Sequence, residues 1–243
     1  DLPEAEQMLA AANKHPDLVA QIVPSPFGLR AGDFVKQMLA DGYIGELREV
    51  VVLGTNAAAA DPDAPFHWRQ SAGYSGINML MLGILHETLI RWVPDPIAVR
   101  AQTHIFTHER FDPVTGQMHE VGTPDSVHVL TELPAGARGL YHLSGVLHHG
   151  PGTRIDLYGS EGTLRFELAP QDRLFAGRKD DAGLSEINVP DAKAGRWRVE
   201  ADFVDAIRGY KKITLTDFAT GVRYMRFTDA VDRAARSGEA VSL

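Results

Sequence analysis

The chain has 243 residues, of which 44% are hydrophobic, 23% charged and 8% aromatic, with 23 Gly, 14 Pro and no Cys. This length allows one large or two small domains around a sizeable core, and the composition excludes a disordered chain, a collagen-like repeat and a coiled coil. The absence of Cys excludes a disulfide framework, a thiolate zinc site and a cysteine nucleophile. The net charge of −8 argues against nucleic acid or an acidic membrane as partner, because such binding needs a basic face. No segment joins a basic start to an apolar run in the manner of a targeting signal. The most apolar stretch, residues 77–85, is too short and too polar to cross a bilayer. A soluble, cytoplasmic protein is therefore expected.

In chain order, Asp1 caps a first helix, with Glu4 three positions on and Pro3 in the first turn. Residues 18–23 read as a short buried strand stopped by Pro24 and Pro26. A second helix runs over residues 30–40, where Phe34, Val35, Met38 and Leu39 recur at helical spacing before Asp41 and Gly42. Residues 46–53 form a strand, and residues 57–63 a loop. A buried helix is expected over residues 77–92, ended by Pro94 and Pro96.

From Ile97 the texture changes to strands and turns. Strands are expected at residues 98–106, 126–132, 139–147, 154–158, 163–167, 173–175 and 185–189. The short links between them favour antiparallel neighbours. Helices return over residues 198–207 and 217–236. The whole reads as an α+β fold: a large, mainly antiparallel open sheet with helices covering one face. The uncovered face needs another cover, so a homodimer or higher oligomer is expected through it.

Several motifs stand in a telling order. They are Asp41-Gly-Tyr-Ile-Gly-Glu-Leu47 after a helix, then His67-Trp-Arg69, then Ser75-Gly76 opening the buried helix that ends Leu89-Ile-Arg-Trp92. Ile155-Asp-Leu-Tyr-Gly-Ser-Glu-Gly-Thr-Leu164 follows, and the last helix runs into Ser237-Gly-Glu-Ala-Val241. This order resembles the substrate-binding half of the Gfo/Idh/MocA oxidoreductases, the glucose–fructose oxidoreductase and inositol dehydrogenase group, over nearly the whole chain.

The resemblance implies a C-terminal domain like that of dihydrodipicolinate reductase, preceded by a dinucleotide-binding domain. It implies hydride exchange between NAD or NADP and a carbon of a sugar, cyclitol or related polyol. Residues 1–26 resemble the last helix and strand of the dinucleotide-binding domain, and residues 27–243 the substrate-binding and oligomerisation domain. The chain contains no Gly-x-Gly-x-x-Gly between a strand and a helix, nor the family's Glu-Lys-Pro. A fragment or isolated C-terminal domain is therefore expected, inactive alone and without tightly bound cofactor.

Trp68 and Arg69 are the expected cofactor contacts, since an arginine grips a diphosphate or carboxylate with paired hydrogen bonds. His67, Asn78, Glu87 and His142 are the expected substrate contacts, with His142 lining either the cleft or a subunit interface. The family's buried helix carries an Asp and, four residues later, a His, about 40° apart on one helix face. The aligned positions here are Met81 and Leu85, which move no proton. His86 follows at once and is the expected catalytic residue, although one residue turns a side chain by about 100°. Its other reading is a buried histidine with a hydrogen-bond partner. The replacements at 81 and 85 also keep open a non-catalytic ligand-binding or oligomerisation module. No metal site is expected: His148 and His149 point to opposite faces of a strand, and His104 and His108 lie roughly 13 Å apart.

Overall fold

The structure is a computed structural model that describes residues 1–169 and 171–243. Its helices are α1 (Leu2–Asn13), α2 (Gly32–Ala40), the single turn α3 (Ala72–Ser75), α4 (Leu82–Leu89), α5 (Val199–Ile207) and α6 (Phe218–Ser237). Its strands are β1 (Leu47–Thr55), β2 (Ala98–His104), β3 (Glu109–Asp112), β4 (Gln117–Glu120), β5 (Ser126–Glu132) and β6 (Arg138–Ser144). They continue with β7 (Thr153–Gly159), β8 (Gly162–Ala169), β9 (Arg173–Arg178), β10 (Ser185–Ile187) and β11 (Val241–Ser242).

Apolar–polar alternation gives each strand a dry and a wet side. Along β5 the dry side is Val127, Val129 and Thr131, and along β6 it is Gly139, Tyr141 and Leu143. Nine strands join in the order β10-β9-β8-β7-β1-β6-β5-β2-β11, while β3 and β4 form a separate hairpin. Every pairing in the large sheet is antiparallel except β1 with β6. The dry sides of the strands meet α4 and α6, and Leu82, Leu85, Phe227 and Val231 are buried there with Val52, Val129 and Leu157. Helix α4 lies on β1 and α6, and α1 packs on the outer side of α6.

Among the described residues, no helix lies on the other face. Its central row, read across the register, is Arg100, Leu130, Leu140, Val51, Asp156, Arg165 and Phe175. Leu130 and Leu140 are exposed there, while Asp156 is fully buried under Arg154 and Arg165, which reach it at 3.1 and 2.7 Å.

Three expectations need correction. Residues 18–23 form no strand. A strand requires a partner for its backbone groups, and here the ladder is limited to Ile22 exchanging bonds with Thr216. The buried helix is shorter than residues 77–92, because Gly76 and Leu80 have φ of 56° and 49° and hold the chain out of the helical region. The β3–β4 hairpin and β11 add strands to the expected set. The hairpin's signal was present: Asp112 accepts hydrogen bonds from the Val114 amide and the Thr115 hydroxyl, and Gly116 sits at φ 71°.

Candidate functional site

β1 and β6 run in parallel and end side by side at Thr55 and Ser144. The loops that leave this end form the platform on which the exposed candidate residues stand. The Thr55 hydroxyl donates to the Gly152 carbonyl and accepts from the Gly152 amide, at 3.2 and 3.0 Å. The loop after β1 is held by Arg110 on β3, whose guanidinium donates to the carbonyls of Asp61, Ala64 and Ala59 at 2.7, 3.0 and 2.8 Å. Arg110 is buried and pairs with no carboxylate among the described residues. Sequence reasoning passed over it, because a charged residue in a hairpin ordinarily reads as a solvated one.

Residues 68–70 make one 3₁₀ turn. The His67 ring nitrogen Nδ1 accepts from the Arg69 amide at 3.2 Å, and the Gln70 side chain accepts from the His67 amide at 2.9 Å. The Arg69 carbonyl is fixed from behind by the hydroxyls of Ser75 and Thr123, at 2.9 and 3.1 Å. On this braced turn Trp68 is 52% exposed, and the Arg69 guanidinium lies 4.4 Å from the centre of its ring. Such stacking orients an arginine without consuming its donors. Arg69 has no ion pair among the described residues, so its charge remains available. Asn78 is also exposed on the following segment, with its amide nitrogen donating to the Ser75 carbonyl at 2.9 Å. His67, Trp68, Arg69 and Asn78 thus belong to one connected segment.

The positions aligned with the family's Asp and His lie just beyond, at the start of α4. Met81 is half-buried and Leu85 is fully buried. Leu85 fits because Gly54 of β1 has no side chain: a Cβ there would stand 2.9 Å from both Leu85 and Leu143. Helix α4 is regular at this point, with the Leu85 amide on the Met81 carbonyl at 3.0 Å and the Ile90 amide on the His86 carbonyl at 2.9 Å.

His86 therefore stays on the core side of α4. It is fully buried, its Nδ1 shares a hydrogen bond of 2.7 Å with the Tyr141 hydroxyl, and its ring stacks on Phe227 at 3.6 Å. Burial, and secondarily the Arg223 charge, lower its pKa to about 3. Burial also pushes the Tyr141 phenol up, with the Asp95 charge adding to the shift. The pair is neutral, and His86 offers no exposed atom to a substrate hydroxyl.

Glu87 is buried as well. One carboxylate oxygen accepts from the Ser25 amide at 2.6 Å. The other accepts from the Thr216 hydroxyl at 2.6 Å and from Arg91 at 3.1 Å. Arg91 also donates to the carbonyls of Phe27 and Ser25, at 2.8 and 3.0 Å. This clamp ties residues 25–27 to α4 and to the approach to α6. His142 lies on the face of the sheet away from α4, directly opposite His128, with ring centres 4.5 Å apart. Burial, and then the His128 charge, lower its pKa. The expected site residues thus divide into an exposed segment, two buried residues of α4 and one residue of the uncovered face. Among the described residues no three His, Asp, Glu or Cys side chains gather as a metal site.

An open, mainly antiparallel sheet backed by helices on one side, with a braced and exposed segment at the end of its one parallel pair, defines an α+β open-sheet domain. The GFO/IDH/MocA C-terminal domain family matches residues 33–165, and the chain belongs to that family. No curated protein matches it. Among solved structures it is similar to an NAD binding oxidoreductase from Klebsiella pneumoniae, at a TM-score of 0.86 and 20% identity, covering 100% of this chain and 70% of that one. It is similar to levoglucosan dehydrogenase in complex with NADH and L-sorbose, at 0.82 and 22%, covering 99% and 70%. It is also similar to an inositol dehydrogenase homolog complexed with NAD+ from Azotobacter vinelandii, at 0.78 and 17%, covering 100% and 69%.

Proposed function

We propose that this chain is the substrate-binding part of an NAD(P)-dependent oxidoreductase acting on a sugar, cyclitol or related polyol. The observation that carries this reading is the Trp68–Arg69 pair, exposed and braced beside the start of α4. It is supported by family membership and by similar structures that hold NADH with L-sorbose, or NAD+.

The chemistry supplied by a bound nicotinamide is hydride exchange with a substrate carbon. Arg69 would hold a diphosphate or carboxylate oxygen through its free donors, and the face of Trp68 would exclude water from one side of the site. His67 fixes the turn that carries both, and the carbonyl of the Asn78 side chain would accept from a polyol hydroxyl. Met81 and Leu85 move no proton, and His86 is enclosed. The hydroxyl proton is therefore passed through a group outside α4. Within these 243 residues there is no Gly-x-Gly-x-x-Gly, so the chain alone is expected to show neither turnover nor tight NAD(P) binding.

The same apolar pair at 81 and 85 favours a second reading, a non-catalytic domain that holds a small ligand. The two are separated by joining the chain to a dinucleotide-binding domain and assaying a polyol panel with NAD+ and NADP+. Turnover that falls at least ten-fold in Arg69→Ala supports the oxidoreductase. Binding of a polyol without any turnover, in a folded two-domain protein, supports the ligand-holding reading and overturns the first.

The uncovered sheet face is proposed to pack against a second copy of this chain. Its exposed centre is apolar, at Leu130 and Leu140, and the next row carries both signs of charge at Glu132, Arg138 and Glu49. An apolar centre rimmed by both signs suits a two-fold, self-complementary contact.

A further inference from the structure

A cavity of about 510 Å³ lies away from the exposed segment, beyond the other end of α4. Four stretches far apart in sequence meet there: residues 28–36, the end of α4 with Trp92, residues 195–202, and residues 214–223. Five cationic side chains line it, namely Lys36, Arg91, Arg196, Arg198 and Arg223, against the three carboxylates Asp33, Glu87 and Asp202. The lining therefore carries an excess of two positive charges in a chain whose net charge is −8.

Two of the three carboxylates are already engaged, while Asp33 has no ion pair among the described residues. Glu87 is taken up by Ser25, Thr216 and Arg91. Asp202 binds Lys211 at 2.6 Å and Arg198 at 3.3 Å. Arg223 pairs with Asp95, which is not part of the lining, at 2.9 Å. Lys36 and Arg196 have no carboxylate partner among the described residues, and both are exposed. The hydroxyls of Thr214 and Thr220 add neutral donors at the same cavity.

We propose that this cavity binds a small organic polyanion bearing two or more phosphate or carboxylate groups. Its volume suits such a molecule, since small-ligand sites run from about 300 to 1,000 Å³. Lys36 and Arg196 would meet the anionic oxygens, where charge-assisted hydrogen bonds are about twice as strong as neutral ones. The buried Glu87–Arg91 clamp forms one wall and makes the site rigid, so a ligand would fasten all four stretches together. The site needs no nicotinamide and does not depend on the function proposed above.

The test uses this chain alone, titrated by calorimetry and thermal unfolding with pyrophosphate and, separately, citrate, each against sodium chloride of equal ionic strength. Saturable binding and a raised Tm beyond the salt control are expected. A tighter response to pyrophosphate identifies a phosphorylated ligand, and a tighter response to citrate a polycarboxylate. The double variant Lys36→Ala with Arg196→Ala, at exposed positions that leave the core intact, is expected to weaken binding at least ten-fold. Arg69→Ala, at the other site, is expected to leave it unchanged. Stabilisation that follows ionic strength alone, affinity unaltered in the double variant, or affinity lost in Arg69→Ala would each overturn the proposal.

Discussion

His86 shows how an ordinary titratable side chain becomes part of a core. Its neutral ring fills the space between Tyr141 and Phe227, and protonation there would place a charge where water cannot reach. The folded pKa of about 3 lies below the ordinary histidine value of 6.5, so below pH 6.5 the unfolded chain takes up a proton that the folded chain refuses. This part of the stability is complete above about pH 6.5 and is lost as the pH falls towards 3, by about 1.4 kcal/mol per pH unit. His86→Leu removes that dependence. Urea unfolding at pH 7 and pH 5 is expected to show the gap between wild type and variant shrinking by about 2 kcal/mol in acid. A gap that stays constant with pH would mean that His86 is not held neutral in the core.

At the scale of elements, the Glu87–Arg91 clamp joins α4 to two segments that the chain order sets far apart. Glu87→Ala leaves the Ser25 amide, the Thr216 hydroxyl and the Arg91 guanidinium without their carboxylate. Removing one member of a buried charged pair costs about 3–5 kcal/mol. A matching fall in unfolding free energy is expected, together with faster exchange of the Ser25 amide. Normal exchange at Ser25 in the variant would show that the clamp does not restrain this segment.

Much of this level was legible in the sequence. Alternation in residues 126–132 and the turn chemistry at Gly159-Ser-Glu-Gly162 placed strands and links where the structure has them. Asp1 and Asp217 cap α1 and α6 as capping chemistry requires. What stayed hidden depends on partners distant in sequence. Glu87 and Arg91 stand four apart, a spacing that signals a helical pair, but nothing local links them to Ser25 and Thr216. The apolar run from residue 77 suggested helix, yet left-handed backbone at Leu80 delays its start. The exposed Trp68–Arg69 turn was legible as a candidate, while the buried position of His86 followed only from the β6 residue and the α6 residue that enclose it.

For the whole molecule, the pairing proposed for the face without helices has a direct readout in mass. If a second copy covers it, light scattering should give twice the chain mass of 26.5 kDa. Leu130→Lys with Leu140→Lys places cations in the apolar centre and is expected to return the mass to that of one chain with the fold retained. A wild-type mass of one chain at micromolar concentration would overturn the proposed pairing.

The single parallel contact in the sheet also governs the order in which the protein can be made. β1 lies between β6 and β7, so its two neighbours emerge from the ribosome only after residues 56–137 have been synthesised. Until then, the Val50–Val52 and Leu53 run has no edge to join and no sheet to cover it. Contacts this distant in sequence slow folding and leave apolar surface open to wrong partners. β2 and β5 pair with each other earlier, which gives the nascent chain a first ribbon. The centre of the sheet is completed only when an early strand is enclosed between two that are made well after it.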